Sequence, residues 1–244
     1  MSAKKRLDVL LVERGLAGSR SQAQALVLAG RVRGHSKAGE QVPEDVELEV
    51  AEGARFVSRG GEKLAAALAA FDIDVAGEDC LDVGASTGGF TDCLLQAGAA
   101  RVVALDVGYG QLHPKLRGDP RVTVLERTNV RDLRCEQLPF RPGIVVCDVS
   151  FIGLAKALPP ALACAEPGWR ALVLVKPQFE AGPADVGKGG VVRDPLVHDR
   201  VLGEVLARAP AWNAAVLGVE PSAVRGPKGN QEFFVFLVHA AGDS

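Results

Sequence analysis

Seven short apolar runs constrain this chain more than any other feature. They are "LDVG" (81–84), "RVVALDVG" (101–108), "RVTVLE" (121–126), "GIVVCDVS" (143–150), "ALVLVK" (171–176), "AAVLGV" (214–219) and "EFFVFLVHA" (232–240). Runs this short and this continuous fit strands buried on both faces, as in the sheets of α/β proteins, rather than half-exposed strands with alternating polarity. Helical candidates at 62–71, 153–166 and 195–209 alternate with them. That alternation predicts an open, doubly wound α/β sheet. In such sheets a ligand binds outside the carboxyl ends of the strands.

The carboxyl ends carry unusual residues. After the first run comes Asp82, then a glycine turn with Gly84, Ser86, Gly88 and Gly89, then Phe90 at a helix start. Turns of this kind let backbone amides and a helix amino terminus approach a ligand closely. A dinucleotide fingerprint requires Gly-x-Gly-x-x-Gly, and Ser86 occupies its middle glycine slot, so an NAD-dependent dehydrogenase loses its main support. The second run ends on Asp106 and Val107. A carboxylate there commonly holds ribose hydroxyls in doubly wound folds. Asn129 and Val130, in "TNVRDL", follow the third run. Asp148 ends the fourth, and Lys176 abruptly ends the fifth. A lysine is almost never fully buried without a partner.

The amino-terminal quarter differs in charge. Residues 1–37 hold eight cations (Lys4, Lys5, Arg6, Arg14, Arg20, Arg31, Arg33 and Lys37) against Asp8 and Glu13, a net +6 in a chain whose total is -2. Such asymmetry points to a polyanion. "RLDVLLVERG" reads as a short helix ended by Gly15. In "SRSQAQALVLAGRV", Ser19 and Gln22 have capping-box spacing, Ala23, Leu26 and Val27 share a helical face, and Gly30 ends the helix. A small β-rich tail follows to about residue 50.

The remaining composition excludes several classes. Apolar content of 48% and charged content of 24% are ordinary for a globular chain. Five widely spaced cysteines without a Cys-x-x-Cys pair favour reduced structural thiols over a disulfide framework, and scattered histidines give no metal site. No apolar run reaches the length of a membrane span, and the opening "MSAKKRLDVLLV" has too short an apolar part for a signal peptide, which predicts a cytoplasmic protein.

Helix, helix and short strands with arginines around the second helix resemble the S-four RNA-binding module; the resemblance rests on "RLD", "SRSQAQAL" and "GRV". It implies contacts to RNA backbone from Lys4, Arg6, Arg20, Arg31 and Arg33. "LDVGASTGGF" with Asp106 one strand later resembles the cofactor turn of class I methyltransferases, which bind S-adenosylmethionine (SAM). Lys63, Asp148, Lys176 and Glu232, in that order, resemble the Lys-Asp-Lys-Glu tetrad of FtsJ-like RNA 2'-O-methyltransferases. The whole chain, with "SRGGEKL", "ALDVGYGQL", "DVSFI" and "VKPQFEAG", resembles the TlyA or haemolysin A-like family. The implied organisation is an S-four-like domain at 1–54, a linker at 55–58 and a Rossmann-like methyltransferase domain with a seven-stranded sheet at 59–244.

The family resemblance implies methylation of a cytidine ribose 2'-hydroxyl in ribosomal RNA, of the large subunit and in some members the small one, with free RNA or ribosomal subunits as partner. SAM is the implied cofactor, held by Asp82, Gly84, Ser86, Gly88, Gly89, Phe90, Asp106, Val107, Asn129, Val130 and Asp148. In the strand order usual for methyltransferases the ends at Asp148 and Lys176 are neighbours, so carboxylate and amine should meet. Lys176 is the candidate base, with Asp148 as its rival. Two alternatives stand beside this reading: a non-catalytic ribosome-assembly factor, and a membrane-active haemolysin, which would need an apolar span or amphipathic hairpins that the sequence does not display.

Overall fold

A computed structural model describes residues 4–28, 31–50 and 54–240. Gly30, expected to end the second helix, and the last four residues of the expected methyltransferase domain lie outside them. The chain forms two compact units, Met1–Arg55 and Phe56–Ser244.

In the first unit, β1 (Lys4–Arg6) leads directly into α1 (Leu7–Glu13), and α2 (Arg20–Leu28) packs beside it. β1 pairs antiparallel with β2 (Gln41–Pro43), and an isolated bridge joins Val32 to Val50. The β-rich tail is thus one three-residue strand and a bridge. Leu7, Leu10 and Leu11 of α1 meet Ala23, Leu26 and Val27 of α2 in one small core. Gln22 N–H donates to Ser19 Oγ at 3.2 Å, while the Gln22 side chain accepts from Gly18 N–H instead of closing the expected box.

The second unit begins by anchoring its own first residues. Phe56 is buried, Val57 N–H donates to Asp92 Oδ2 at 2.9 Å, and Ser58 caps α3 (Arg59–Ala70) by accepting from Gly60 N–H. There follow β3 (Asp79–Val83), α4 (Gly89–Gln96), β4 (Arg101–Leu105), α5 (Pro114–Arg117), β5 (Val122–Leu125) and β6 (Ile144–Cys147). The chain continues through α6 (Leu154–Ala163), β7 (Arg170–Val175), α7 (Pro177–Glu180), α8 (Pro195–Leu206), β8 (Ala214–Pro221) and β9 (Phe233–His239). The seven strands from β3 onward form one sheet in the order β5-β4-β3-β6-β7-β9-β8, parallel except for β9, which runs antiparallel to β7 and β8.

Side-chain alternation explains the continuous apolar runs. Leu81, Val83, Val145, Cys147, Val173 and Val175 face α6 and α8, whereas Cys80, Val102, Ile144, Val146 and Leu172 face α3 and α4. Both faces of the central strands are covered, which is why their runs are almost continuously apolar.

The expectation of reduced thiols is corrected in part. Cys135 and Cys164 form a disulfide, with Cα atoms 4.9 Å apart, while Cys80, Cys93 and Cys147 are buried thiols outside any disulfide. The two partners are 29 residues apart in sequence. They meet because the segment after β5 packs Leu133 and Leu138 into the core that also takes Leu162 of α6. Spacing alone does not reveal such a pairing.

Candidate active site

The strand topology brings the sequence candidates to one edge. β3 turns sharply at Gly84, whose φ is +86°; a Cβ there would lie 2.5 Å from the Asp148 carbonyl oxygen. Only glycine lets this turn pass against the end of β6. Ser86 follows at φ +49°, and its N–H donates to Asp106 Oδ2 at 2.8 Å. Gly108 N–H donates to the other oxygen of Asp106 at 2.6 Å. The carboxylate at the end of β4 is therefore fixed beside the glycine turn by two backbone donors. Asn129 Oδ1 accepts from Arg131 N–H and caps a 3-10 turn that carries Val130.

Gly84, Ser86, Asp106, Asn129 and Val130 line a cavity of about 580 Å³, together with Val107, Asp148 and Phe151. Its size and mixed lining suit a nucleoside-sized ligand. A second cavity, of about 400 Å³, adjoins it and is lined by Ser58, Arg59, Lys63, Gly89, Phe90 and Lys176. Gly84, Ser86 and Asp148 line both. Asp148 thus stands where the two spaces meet.

Asp82 and Gly88, expected among the cofactor contacts, line neither cavity. Asp82 is fully buried behind the turn, where Thr91 Oγ1 donates to its Oδ2 at 2.6 Å and its Oδ1 has no hydrogen-bond partner among the described residues. Burial pushes its pKa up to about 7, against the pull of the Thr91 hydroxyl. Gly88 instead occupies the cap position of α4.

The four charged candidates form two ion pairs. β6 and β7 are neighbours, and Lys176 Nζ pairs with Asp148 Oδ1 while donating to Ser150 Oγ at 2.9 Å. Lys63 Nζ pairs with Glu232 Oε2, and Gln178 Nε2 donates to Glu232 Oε1 at 3.2 Å. The Glu232 side chain is 0% exposed and that of Lys63 8%. A buried carboxylate with donors on both oxygens is the arrangement that makes such burial tolerable. Ser150, Gln178 and Arg59 were not foreseen. Ser150 lies two residues after Asp148, and Gln178 two after Lys176. Both lie beyond the strands, Gln178 in α7, so strand alternation does not mark them.

In the first unit, Asp8 is buried and accepts from Arg6, Arg20 and Gln24. The Arg6 guanidinium leads the donors that hold its carboxyl well below the usual range. Two expected RNA contacts thus also organise their own unit, though both keep much of their side chains exposed. Arg33 pairs with Glu49 at 3.0 Å, and Lys4 is exposed.

Comparison with known proteins identifies the family of each unit. The FtsJ-like methyltransferase family matches residues 56–239, and the S4 domain matches residues 5–33. Over 243 residues the chain is 49% identical to the 16S/23S rRNA (cytidine-2'-O)-methyltransferase TlyA of Mycobacterium tuberculosis, covering 97% of this chain and 91% of that protein. This chain belongs to the TlyA family of FtsJ-like methyltransferases. A solved structure of a candidate hemolysin from Streptococcus thermophilus is 41% identical, with a TM-score of 0.75, and the match covers 98% of this chain and 90% of that one. An S-adenosylmethionine-dependent methyltransferase structure from Mesorhizobium loti has a TM-score of 0.53 at 16% identity over 71% of this chain and 95% of its own. That similarity establishes the class I methyltransferase fold of the second unit. Among the described residues, no helix is long and apolar enough to cross a membrane, and no group of three or more His, Cys, Asp or Glu side chains is placed to hold a metal ion.

Proposed function

We propose that this protein transfers a methyl group from SAM to the 2'-hydroxyl of a cytidine in ribosomal RNA. The observation that carries the reading is the junction of the two cavities at Asp148, with Lys176 paired to it and Lys63 close by. The named activity of the M. tuberculosis relative supplies the cytidine and the ribosomal RNA, of either subunit. The ion-paired tetrad favours an enzyme over an RNA-binding assembly factor.

The larger cavity fits SAM: the glycine turn lines it with backbone, Asp106 would take the ribose hydroxyls, and Asn129 and Val130 would flank the adenine. When bound, SAM supplies a methyl group on a sulfonium, open to in-line displacement. The protein must align the ribose oxygen and make it more nucleophilic, and alignment alone contributes several kcal/mol. Lys176, held by Asp148 and Ser150, is placed to orient the hydroxyl and to take its proton once the amine is neutral. Lys63, anchored by Glu232, supplies a fixed positive charge to the second cavity. In the first unit, Lys4, Arg6, Arg20, Arg31 and Arg33 supply phosphate contacts.

Lys176→Arg distinguishes the roles of the lysine, because arginine keeps the charge but is effectively never deprotonated. If Lys176 is the base, single-turnover methyl transfer at saturating RNA and SAM falls by about 10²- to 10⁴-fold with SAM affinity unchanged. The wild-type rate then climbs with pH, while that of the variant stays low throughout. A near-normal rate in the variant makes Lys176 a positioning charge and Asp148 the proton acceptor.

A further inference from the structure

Two loops of the second unit carry charge that the tetrad does not use. Residues 187–193, "GKGGVVR", and 222–230, "SAVRGPKGN", together contain Lys188, Arg193, Arg225 and Lys228 and no acidic residue, in a chain of net charge -2. All four side chains are exposed, and none makes an ion pair among the described residues. Like charges gathered on neighbouring loops repel one another, an arrangement that an anionic partner relieves.

The loops are not loose. Asn230, 3% exposed, accepts from Val192 N–H at 3.0 Å and donates to the Gly190 carbonyl at 2.9 Å, so one buried side chain clamps the first loop to the second. A Cβ placed on Gly190 would lie 3.8 Å from Lys228 Nζ, which measures how closely the two loops approach. The second loop closes on itself through Gly226 N–H to the Asn230 carbonyl at 2.9 Å.

The same loop touches the tetrad. A Cβ on Gly226 would fall 2.1 Å from Glu232 Oε1, so the loop backbone lies directly on the carboxylate that holds Lys63. Ser222 N–H also donates to the Glu232 carbonyl at 2.8 Å.

We propose that these two clamped loops form a phosphate-binding shelf on the methyltransferase unit, gripping the RNA sugar-phosphate backbone beside the target nucleotide through Lys188, Arg193 and Lys228. This rests on the RNA-methyltransferase reading and extends it. RNA is held by the unit that performs the chemistry as well as by the S4 unit. Arg225 has a different task, because its guanidinium donates to the Gly229 carbonyl at 3.1 Å and braces the loop. Backbone neutralisation is independent of sequence, so the shelf contributes affinity and register and leaves nucleotide choice to the site.

The test uses the full chain carrying Lys188→Ala, Arg193→Ala and Lys228→Ala together, and unmodified ribosomal subunits as the RNA probe. Each phosphate contact contributes about 0.7 to 0.9 to the slope of log affinity against log salt, so the triple variant should reduce the magnitude of that slope by about 2 to 3. Affinity at about 0.1 M salt should fall at least tenfold, with SAM affinity and thermal midpoint unchanged. A triple variant that binds subunits with wild-type affinity and slope overturns the shelf. Wild-type transfer of labelled methyl groups to the same subunits is measured in parallel. If it occurs while the variant is unaffected, the shelf alone falls; if wild-type protein neither binds nor methylates them, the underlying reading falls with it.

Discussion

Glu232→Gln is the sharpest structural perturbation the fold offers. The substitution keeps the size and shape of the side chain and removes only its charge. Glu232 is fully buried, Lys63 is nearly so, and Gln178 Nε2 donates to the second carboxylate oxygen. A glutamine can present an oxygen to only one of these two donors, so its own NH₂ group must face the other. The result is a buried ammonium without its counter-charge. Breaking a buried pair from one side costs about 3 to 5 kcal/mol. For a unit of this size each kcal/mol shifts the thermal midpoint by about 2 to 4 °C, so the drop should be roughly 6 to 20 °C. Tryptophan fluorescence is a suitable probe, because both tryptophans, Trp169 and Trp212, lie in the core of the second unit. Replacing both partners, as Lys63→Met with Glu232→Leu, should recover most of the loss, since apolar replacement of a buried pair is often neutral or better. A Glu232→Gln loss below about 1 kcal/mol, the scale of an exposed pair, would refute the burial argument. So would a double variant no more stable than the single one.

Further outcomes follow from the same geometry. Asp106→Ala should weaken SAM binding by about 10- to 100-fold in calorimetry, since charged hydrogen bonds contribute roughly 1.5 to 3 kcal/mol; unchanged affinity would displace the cofactor from the larger cavity. Asp82 has a folded pKa raised to about 7 by burial, so the native state holds its proton longer than the unfolded chain. Its contribution to stability therefore declines as pH rises from about 4 to about 7, and Asp82→Asn should remove that decline, which denaturant titrations across this range will show. Asp8 is shifted the other way by its arginine partners, so its stabilisation is present above about pH 4 and lost under stronger acid. Asp8→Asn should abolish the acid sensitivity of the first unit as followed by backbone amide exchange.

Much of this was legible in the sequence because the relevant signals are local. Continuous apolar runs marked the strands, and the residues at their carboxyl ends marked the rim of the sheet where the two cavities lie, which is why Asp106, Asp148 and Lys176 stood out without coordinates. The glycine turn was also readable, but not the contact that requires it: Gly84 approaches the carbonyl of Asp148, 64 positions later in the sequence, which joins β3 to β6. Asp82 shows the limit of a motif reading. Its place in the turn suggested a ligand contact, whereas the alternation of β3 turns it inward to Thr91. The same holds for Arg6 and Arg20, which look like free cations in a basic stretch until helix packing brings Asp8 between them. The Cys135–Cys164 bond, the Asn230 clamp and the Gln178 contact all depend on long-range packing, which no periodicity encodes.

The most direct measurement of the central claim is mass-spectrometric mapping of 2'-O-methylcytidine in ribosomal RNA after unmodified subunits are incubated with SAM and this protein. The account predicts a new 2'-O-methylcytidine with wild-type protein and none with Lys176→Ala at equal SAM occupancy. Ribosomal RNA left unmethylated by a wild-type protein that binds SAM, or methylated on a base instead of a ribose, would contradict it.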